Sequence, residues 1–234
     1  MKTNIIVLTY NNLAETKIFI DHLYNNTSLP FKLFLIDNGS SDNTQEYIEK
    51  LAKEKNNIFF SLQETNLGII KGRNLGYEFS QEVEKSDCVI FLDNDQVVLP
   101  GWLESYLSFY EKGYDLIGCE AWRLNKRRYP YHKNRHPSDT FFSYVGAGGL
   151  MIKSKIFEEL NGFDERFSPK FYEDPCLVWE AHFAGYKIGW NYHPVIIHRS
   201  HNLLPQDQKK YFIKSMVEFV KKWDGVEAPV FQME

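Results

Sequence analysis

Residues 88–95 read Cys-Val-Ile-Phe-Leu-Asp-Asn-Asp, an apolar run that stops abruptly at two carboxylates. An unbroken run of this kind is typical of a strand that is buried on both faces of a parallel sheet. Asp93 and Asp95 stand two positions apart, so both side chains can point the same way and share one hard divalent cation. Mg²⁺ or Mn²⁺ bound by one or two carboxylates keeps coordination positions free for phosphate oxygens. The stretch therefore predicts a buried strand with a metal site at its carboxyl end.

The same pattern of apolar run and polar stop occurs twice earlier in the chain. Ile5–Leu8 is followed by Thr9-Tyr10-Asn11, and Phe31–Ile36 is followed by Asp37-Asn38-Gly39-Ser40. Helical patterns separate these runs, and such alternation predicts an α/β fold with a mostly parallel sheet and helices on both faces. Ligands bind beyond the carboxyl ends of the strands in such a sheet. The polar stops therefore predict one shared site, although the same residue types are also common in turns.

Local signals predict where several helices begin. Asn12 with Glu15 forms a potential capping box for the first helix, and Asp42 is placed to cap the second. Pro100 suits the first position of a later helix. Residues 124–139 are predicted to form a long exposed loop, and a last helix is predicted from about 207 to 223.

Composition and charge exclude several classes of protein. The 234 residues include 27 Lys and Arg against 31 Asp and Glu, a net charge of 27 − 31 = −4, which argues against a nucleic-acid partner. No apolar run approaches the roughly 18 residues of a membrane span. Three separated cysteines favour buried reduced thiols over a disulfide framework. These features predict a single cytoplasmic domain, with contact to a membrane surface as the alternative location.

Further polar motifs follow in a fixed order along the chain. They are Asn66-Leu67-Gly68, Lys71-Gly72-Arg73-Asn74, the Asp93 and Asp95 pair, Gly148-Gly149-Leu150-Met151-Ile152, Asn161–Glu165 and Phe171–Asp174. With the two earlier strand ends, the ordered set resembles the inverting glycosyltransferases of family 2 over nearly the whole chain. The resemblance implies a Rossmann-like GT-A fold. The resemblance also implies that this single domain comprises a nucleotide-binding half at about 1–120, an acceptor and catalytic half at about 121–205, and a C-terminal helix at about 206–234.

The resemblance also assigns roles to individual residues. Asp93 and Asp95, with His198 as a third ligand and His201 as its substitute, are implied to bind the metal; a structural strand-end histidine is the alternative for His198. Gly148 and Gly149 are implied to border the acceptor. The residues implied to bind the nucleotide are Thr9, Tyr10, Asn11, Asp37, Asn66, Arg73, Asp93 and Asn94. An aspartate such as Asp37 could accept the imide N–H of uracil or thymine, whereas Arg73 could instead be a surface residue paired with Glu78 or Glu82.

The acidic pair Glu173 and Asp174 resembles the catalytic carboxylates of the family, in which the aspartate is the general base. A structural role competes with this one, because Asp174 precedes Pro175 and could cap a helix. Cys176 stands where many relatives carry a further acidic residue.

Two features of the sequence have alternative explanations. The basic segment 124–137 is interpreted as a solvated surface, with a lid or a grip for an acidic acceptor as the alternative. The apolar stripe of the last helix is interpreted as core or dimer contact, with peripheral membrane attachment as the alternative. Its members are Phe212, Ile213, Met216, Val217, Val220 and Trp223.

The predicted function is Mn²⁺- or Mg²⁺-dependent transfer of a sugar, from a UDP- or dTDP-sugar, to a glycan or lipid-linked acceptor in cell-surface glycan synthesis. A sugar-phosphate nucleotidyltransferase is the first alternative, but it normally carries a glycine-rich basic signature after the first strand, and Thr9-Tyr10-Asn11-Asn12 has none. A nucleotide- or sugar-binding module without catalysis is the second, and the acidic residues at both the metal and the base positions argue against it.

Overall fold

The computed structural model describes residues 1–134, 138–193, 195–199 and 206–232. The strands in this part of the chain are β1 (Thr3–Thr9), β2 (Lys32–Asp37), β3 (Ile58–Leu62), β4 (Cys88–Asp93), β5 (Gln96–Val98), β6 (Leu116–Gly118), β7 (Ala121–Leu124), β8 (Pro130–Lys133), β9 (Phe141–Phe142), β10 (Tyr144–Val145), β11 (Leu150–Lys153), β12 (Ile188–Trp190), β13 (Ile196–His198) and β14 (Phe231–Gln232). The α-helices are α1 (Leu13–Asn26), α2 (Thr44–Glu54), α3 (Ile69–Val83), α4 (Trp102–Glu111), α5 (Ser154–Glu159), α6 (Glu173–Phe183) and α7 (Lys209–Lys222).

Seven strands form the central sheet in the order β12-β6-β11-β4-β1-β2-β3. Neighbouring strands run parallel except for β11, which lies antiparallel between β4 and β6. The predicted α/β class with a mostly parallel sheet is therefore confirmed. Because β1, β2, β4 and β6 point the same way, their carboxyl ends and the start of β11 meet at one edge of the sheet.

Two apolar clusters cover the two faces of this sheet. Successive residues of β1 contribute to opposite clusters, Ile6 to one and both Ile5 and Val7 to the other, as the alternation of side chains along a strand requires. Phe91 of β4 is fully buried, and its ring centroid lies 5.2 Å from those of Phe157 and Phe163. None of the described helices is both long enough and apolar enough to cross a membrane.

The basic segment after β6 differs from the predicted loop. Ala121–Leu124 and Pro130–Lys133 pair as antiparallel strands, and β10 pairs with the other side of β7 to complete a small three-stranded sheet. The short strands were not predicted because this segment is rich in charged residues and lacks the alternation of apolar residues that indicates a strand. Residues 135–137 of the segment lie outside the described residues.

The predicted capping of α1 is wrong, although the helix begins where expected. Asn12 has a left-handed backbone (φ 61°) and makes no side-chain cap hydrogen bond. The backbone N–H of Leu13 instead donates to Asp42 Oδ2 at 3.2 Å, and Asp42 Oδ1 accepts from the N–H of Thr44 at 3.0 Å. Asp42 therefore accepts a hydrogen bond from the first residue of α1 and from the first residue of α2. Farther along the chain, α4 begins at Trp102, two residues after Pro100.

The apolar stripe of the last helix divides between two faces. Phe212, Met216 and Trp223 pack against the larger core cluster, with the fully buried Phe219 between them. The outer face carries Ile213, Val217 and Val220, which are 56%, 42% and 39% exposed. Core packing therefore accounts for only part of the predicted stripe.

Replacing Phe91 by alanine should lower the free energy of unfolding by about 3–5 kcal/mol, because a buried aromatic side chain is removed from a well-packed cluster. Phe141→Ala is the matched control, since this ring is 45% exposed, and it should cost less than about 1 kcal/mol. Urea unfolding of both variants measures the difference. Equal losses would contradict the assignment of the core.

Candidate active site

A large open cleft lies over the carboxyl ends of the central strands. Its volume is about 1590 Å³, larger than the roughly 300–1,000 Å³ typical of small-molecule sites, so it has room for more than one ligand. Most of the residues predicted for the site line it: Thr9, Tyr10, Asn66, Arg73, Asp93, Asn94, Asp95, Gly148, Glu173, Asp174 and His198. Asn11, Asp37 and Gly149 are not among the lining residues.

Two carboxylates and one imidazole converge at the centre of the cleft. His198 Nε2 lies 3.2 Å from Asp93 Oδ2 and 3.7 Å from Asp95 Oδ1. The short pair formed by β5 and β13 brings them together, because Gln96 stands opposite His198 in its register. His198 is thus in the position predicted from sequence, whereas His201 lies outside the described residues.

Gly148 lies directly against this cluster. A Cβ atom on Gly148 would approach Asp93 Oδ2 to 2.3 Å and His198 Cε1 to 3.1 Å, so any side chain here would occupy the space next to the ligand atoms. Oxygen donors suit Mg²⁺ and Mn²⁺, and imidazole is a common ligand of divalent transition metals. The donor set of Asp93, Asp95 and His198 therefore fits a divalent cation.

Arg73 connects the two sides of the cleft. It is 5% exposed, which excludes the alternative of a surface residue paired with Glu78 or Glu82. Its guanidinium bonds Asp93 Oδ1 at 2.6 Å and lies 3.6 Å from Glu173 Oε1. Burial raises the pKa of Asp93, but the charges and hydrogen bonds of Arg73 and His198 outweigh this effect and hold it well below its usual range.

His198 also contacts a carboxylate that sequence analysis missed. Its Nδ1 lies 3.1 Å from Glu120 Oε1, and the same oxygen accepts a hydrogen bond from Lys133 Nζ at 2.5 Å. Burial lowers the pKa of His198, but hydrogen bonds and charges from Asp93 and Glu120 raise it to about 10. Glu120 follows the carboxyl end of β6 by two residues, so the rule that pointed to Asp93 and Asp95 also applies to it.

Glu173 and Asp174 form the first turn of α6 at the opposite side of the cleft. Tyr172 is the N-cap residue, so the predicted capping role of Asp174 is wrong. Phe171 and Tyr172 both have left-handed backbones (φ 74° and 66°), a conformation that costs on the order of 1–3 kcal/mol each and is concentrated at functional sites. Cys176, one turn farther along, is buried away from the cleft lining, with Lys222 Nζ 3.1 Å from its Sγ.

The acidic pair has an unusual electrostatic environment. Burial raises the pKa of Asp174 well above its ordinary value, and the neighbouring charge of Glu173 raises it further. The pKa of Glu173 is also raised, chiefly by burial, although Arg73 opposes the shift. Glu173 Oε2 is buried and has no hydrogen-bond partner within the described part of the chain.

Asp37 and Asn11, two of the residues predicted to bind the nucleotide, both make hydrogen bonds within the protein. Asp37 is fully buried and accepts hydrogen bonds from Thr9 Oγ1 at 3.0 Å, the backbone and hydroxyl of Ser40, and Gln45 Nε2. Asn11 Oδ1 accepts from the N–H of Ser41 at 2.8 Å and fixes the adjacent turn. Asp37 and Asn11 therefore connect the ends of β1 and β2 to the turn that follows β2, while Tyr10 lines the cleft and is 49% exposed.

An aromatic wall was also missed by sequence analysis. Its members, which all line the cleft, are Trp122, Tyr144, Phe171, Trp190, Tyr192 and Tyr211. Aromatic residues are common in cores, and no local pattern in the sequence distinguished these six from the others.

The family model for glycosyl transferase family 2 matches residues 4–179. The chain therefore belongs to glycosyl transferase family 2, and the resemblance drawn from its ordered motifs is confirmed. Its fold is that of the GT-A glycosyltransferases.

Among curated relatives, the O-antigen chain rhamnosyltransferase RfbN of Salmonella typhimurium is 26% identical over 243 residues, covering 95% of this chain and 74% of RfbN. The chain spans 48% and 64% of the lengths of two other curated relatives.

Two solved structures illustrate the shared fold. TarS of S. aureus in complex with UDP-GlcNAc is 21% identical, with a TM-score of 0.66, covering 94% of this chain and 67% of that one. Mannosyltransferase PcManGT from Pyrobaculum calidifontis, in complex with GDP-Man and Mn²⁺, is 14% identical, with a TM-score of 0.70, covering 97% and 66%.

Gly148→Ala should weaken Mn²⁺ binding roughly 10–100-fold, the range found when groups around a metal ligand are disturbed, because the new methyl group displaces the Asp93 carboxylate. Gly146→Ala is the matched control, since a Cβ there meets no atom closer than 3.8 Å. Titration of free Mn²⁺ by electron paramagnetic resonance measures both affinities. Equal affinities in the two variants would contradict the proposed position of the cation.

Proposed function

We propose that this protein transfers a sugar from a nucleotide-diphosphate donor to an acceptor hydroxyl, with inversion at the anomeric carbon and with Mn²⁺ or Mg²⁺ as cofactor. The observation that carries the proposal is that one cleft contains both the Asp93, Asp95 and His198 cluster and the half-buried Asp174 carboxylate. The first group suits a cation and the diphosphate of a donor. The second suits removal of a proton from an acceptor.

In this mechanism Asp93, Asp95 and His198 would hold the cation, and a bound cation would stabilise negative charge on the departing nucleotide diphosphate. Asp174 accepts the proton of the acceptor hydroxyl while that oxygen attacks the anomeric carbon. The bond from that carbon to the diphosphate oxygen breaks on the opposite face. Arg73 and Glu173 hold Asp93 and the start of α6 in place through the ion pairs described above.

The proposed donor is a UDP- or dTDP-sugar, and the proposed acceptor is a glycan or a lipid-linked sugar of the cell surface. The similarity to RfbN, an O-antigen chain rhamnosyltransferase, supports a deoxyhexose and a cell-surface glycan. Nucleotide sugars are also the ligands named for TarS and PcManGT, one with uracil and one with guanine. The base is therefore the first property to be tested.

Thermal unfolding with UDP, dTDP, GDP, CDP and ADP, each with and without Mn²⁺, tests the donor site. A nucleotide present at about 100 times its dissociation constant adds ~2.7 kcal/mol of stability. For a chain of this size the midpoint should rise by roughly 5–10 °C. We expect this shift for UDP or dTDP only when Mn²⁺ is present, whereas no shift with any nucleotide would overturn the proposal.

Asp174→Asn should lower the transfer rate by about 10²–10⁴-fold, as expected for loss of a general base. Because the pKa of Asp174 is raised in the folded state, its ionisation destabilises the fold as the pH rises. The variant should therefore be at least as stable as the wild type at pH 7–8, and any advantage should shrink towards pH 4. Initial rates and urea unfolding measure the two effects. Parallel loss of activity and stability would assign Asp174 a structural role instead.

The acid limb of kcat/KM should lie well above pH 4, since Asp174 acts only when deprotonated and its pKa is raised. The groups that act on it are Glu173 and Glu120, which raise its pKa, and Arg73, which lowers it. Glu173→Gln removes one of the raising charges and should move the acid limb to lower pH. A wild-type acid limb at or below pH 4 would contradict Asp174 as the titrating base.

A further inference from the structure

We propose that Glu120 is a positioning residue for the cation site: it orients His198 so that Nε2 faces the metal. This inference rests on the proposed function, because it assumes that Asp93, Asp95 and His198 hold a divalent cation. Glu120 lies in the segment between β6 and β7, apart from the motifs that carry the resemblance to the family.

The geometry determines which nitrogen of His198 can bind a cation. A carboxylate can only accept a hydrogen bond, so the 3.1 Å contact between Glu120 Oε1 and Nδ1 requires the hydrogen on Nδ1. The side-chain amide of Gln96 also approaches Nδ1, at 3.4 Å. Gln96 Oε1 accepts from the N–H of Asp93, so the Gln96 atom that faces His198 is Nε2, which is a donor. Two donors do not form a hydrogen bond, so Glu120 is the partner of a protonated Nδ1. Nε2 is then the nitrogen that offers a lone pair once its own proton is displaced.

Glu120 is itself held in place. Its side chain is 18% exposed, and Lys133 Nζ donates to the same Oε1 atom that contacts His198. Lys133 lies on β8, whose pairing with β7 fixes its distance from Glu120. The chain Lys133–Glu120–His198 therefore has the arrangement in which an outer carboxylate fixes the tautomer and ring orientation of a metal-binding histidine.

The test is Mn²⁺ titration, followed by electron paramagnetic resonance, of the full chain carrying Glu120→Ala, Glu120→Gln or His198→Ala, and of the double variant Glu120→Ala with His198→Ala. Glu120→Ala should weaken Mn²⁺ binding roughly 10–100-fold. Glu120→Gln keeps an oxygen that accepts from Nδ1–H, so it should restore most of that loss. In the His198→Ala background, Glu120→Ala should have little further effect, because the residue acts through His198.

Each alternative gives a different result. If the wild type binds Mn²⁺ and Glu120→Ala binds it equally well, the positioning role is wrong while the proposed function stands. If Glu120→Gln is as weak as Glu120→Ala, or if Glu120→Ala weakens binding equally without His198, the carboxylate acts only through its charge and the inference is overturned. If the wild type binds no Mn²⁺, the cation site of the proposed function fails, and the inference fails with it. Urea unfolding of Glu120→Gln, which has nearly the shape of the native residue, controls for loss of structure.

Discussion

The guanidinium of Arg73 lies between carboxylates that come from opposite sides of the cleft. Asp93 ends the central strand β4 and Glu173 begins α6. The side chains of Arg73 and Glu173 are buried, and an unpaired charge in such a place is costly. Removing one partner of such a set leaves the others uncompensated. The relative position of β4 and α6 at the cleft therefore depends on one side chain, which belongs to α3.

Acidic groups outnumber basic ones across this cleft, and their separate environments give them different properties. Asp93 stays ionised because Arg73 and His198 surround it, whereas half-buried Asp174 lies beside another carboxylate and its pKa is raised. Two carboxylates of the same residue type can thus serve opposite purposes, one binding positive charge and the other exchanging protons. In the proposed mechanism, cation binding and proton removal therefore belong to different carboxylates of a single cleft.

Sequence reasoning succeeded where the signal is local and failed where it depends on distant contacts. The apolar run of β4 and the spacing of Asp93 and Asp95 are encoded within eight residues, so their strand and their place in the site could be predicted. The burial of Asp37 depends on Thr9, Ser40 and Gln45 folding around it, which its own turn does not reveal. Glu120 was missed because a short strand precedes it and the basic hairpin that follows has no clear alternation of apolar residues.

The antiparallel insertion of β11 has a consequence for how such an enzyme can diversify. The chain leaves the central sheet at Gly118 and returns at Leu150, and these residues are direct partners in the β6–β11 register. Residues 119–149 are therefore an excursion with adjacent ends, which carries the β7–β8 hairpin and part of the aromatic wall. Connecting segments tolerate change better than the elements they join, and in this one Phe142, Tyr144 and Val145 belong to the larger core cluster. A different excursion grafted at the same two residues would exchange Glu120, Lys133 and Gly148 together with Trp122 and Tyr144. It would therefore change both the surroundings of His198 and the aromatic lining of the cleft, while the strand that ends at Asp93 stays unchanged.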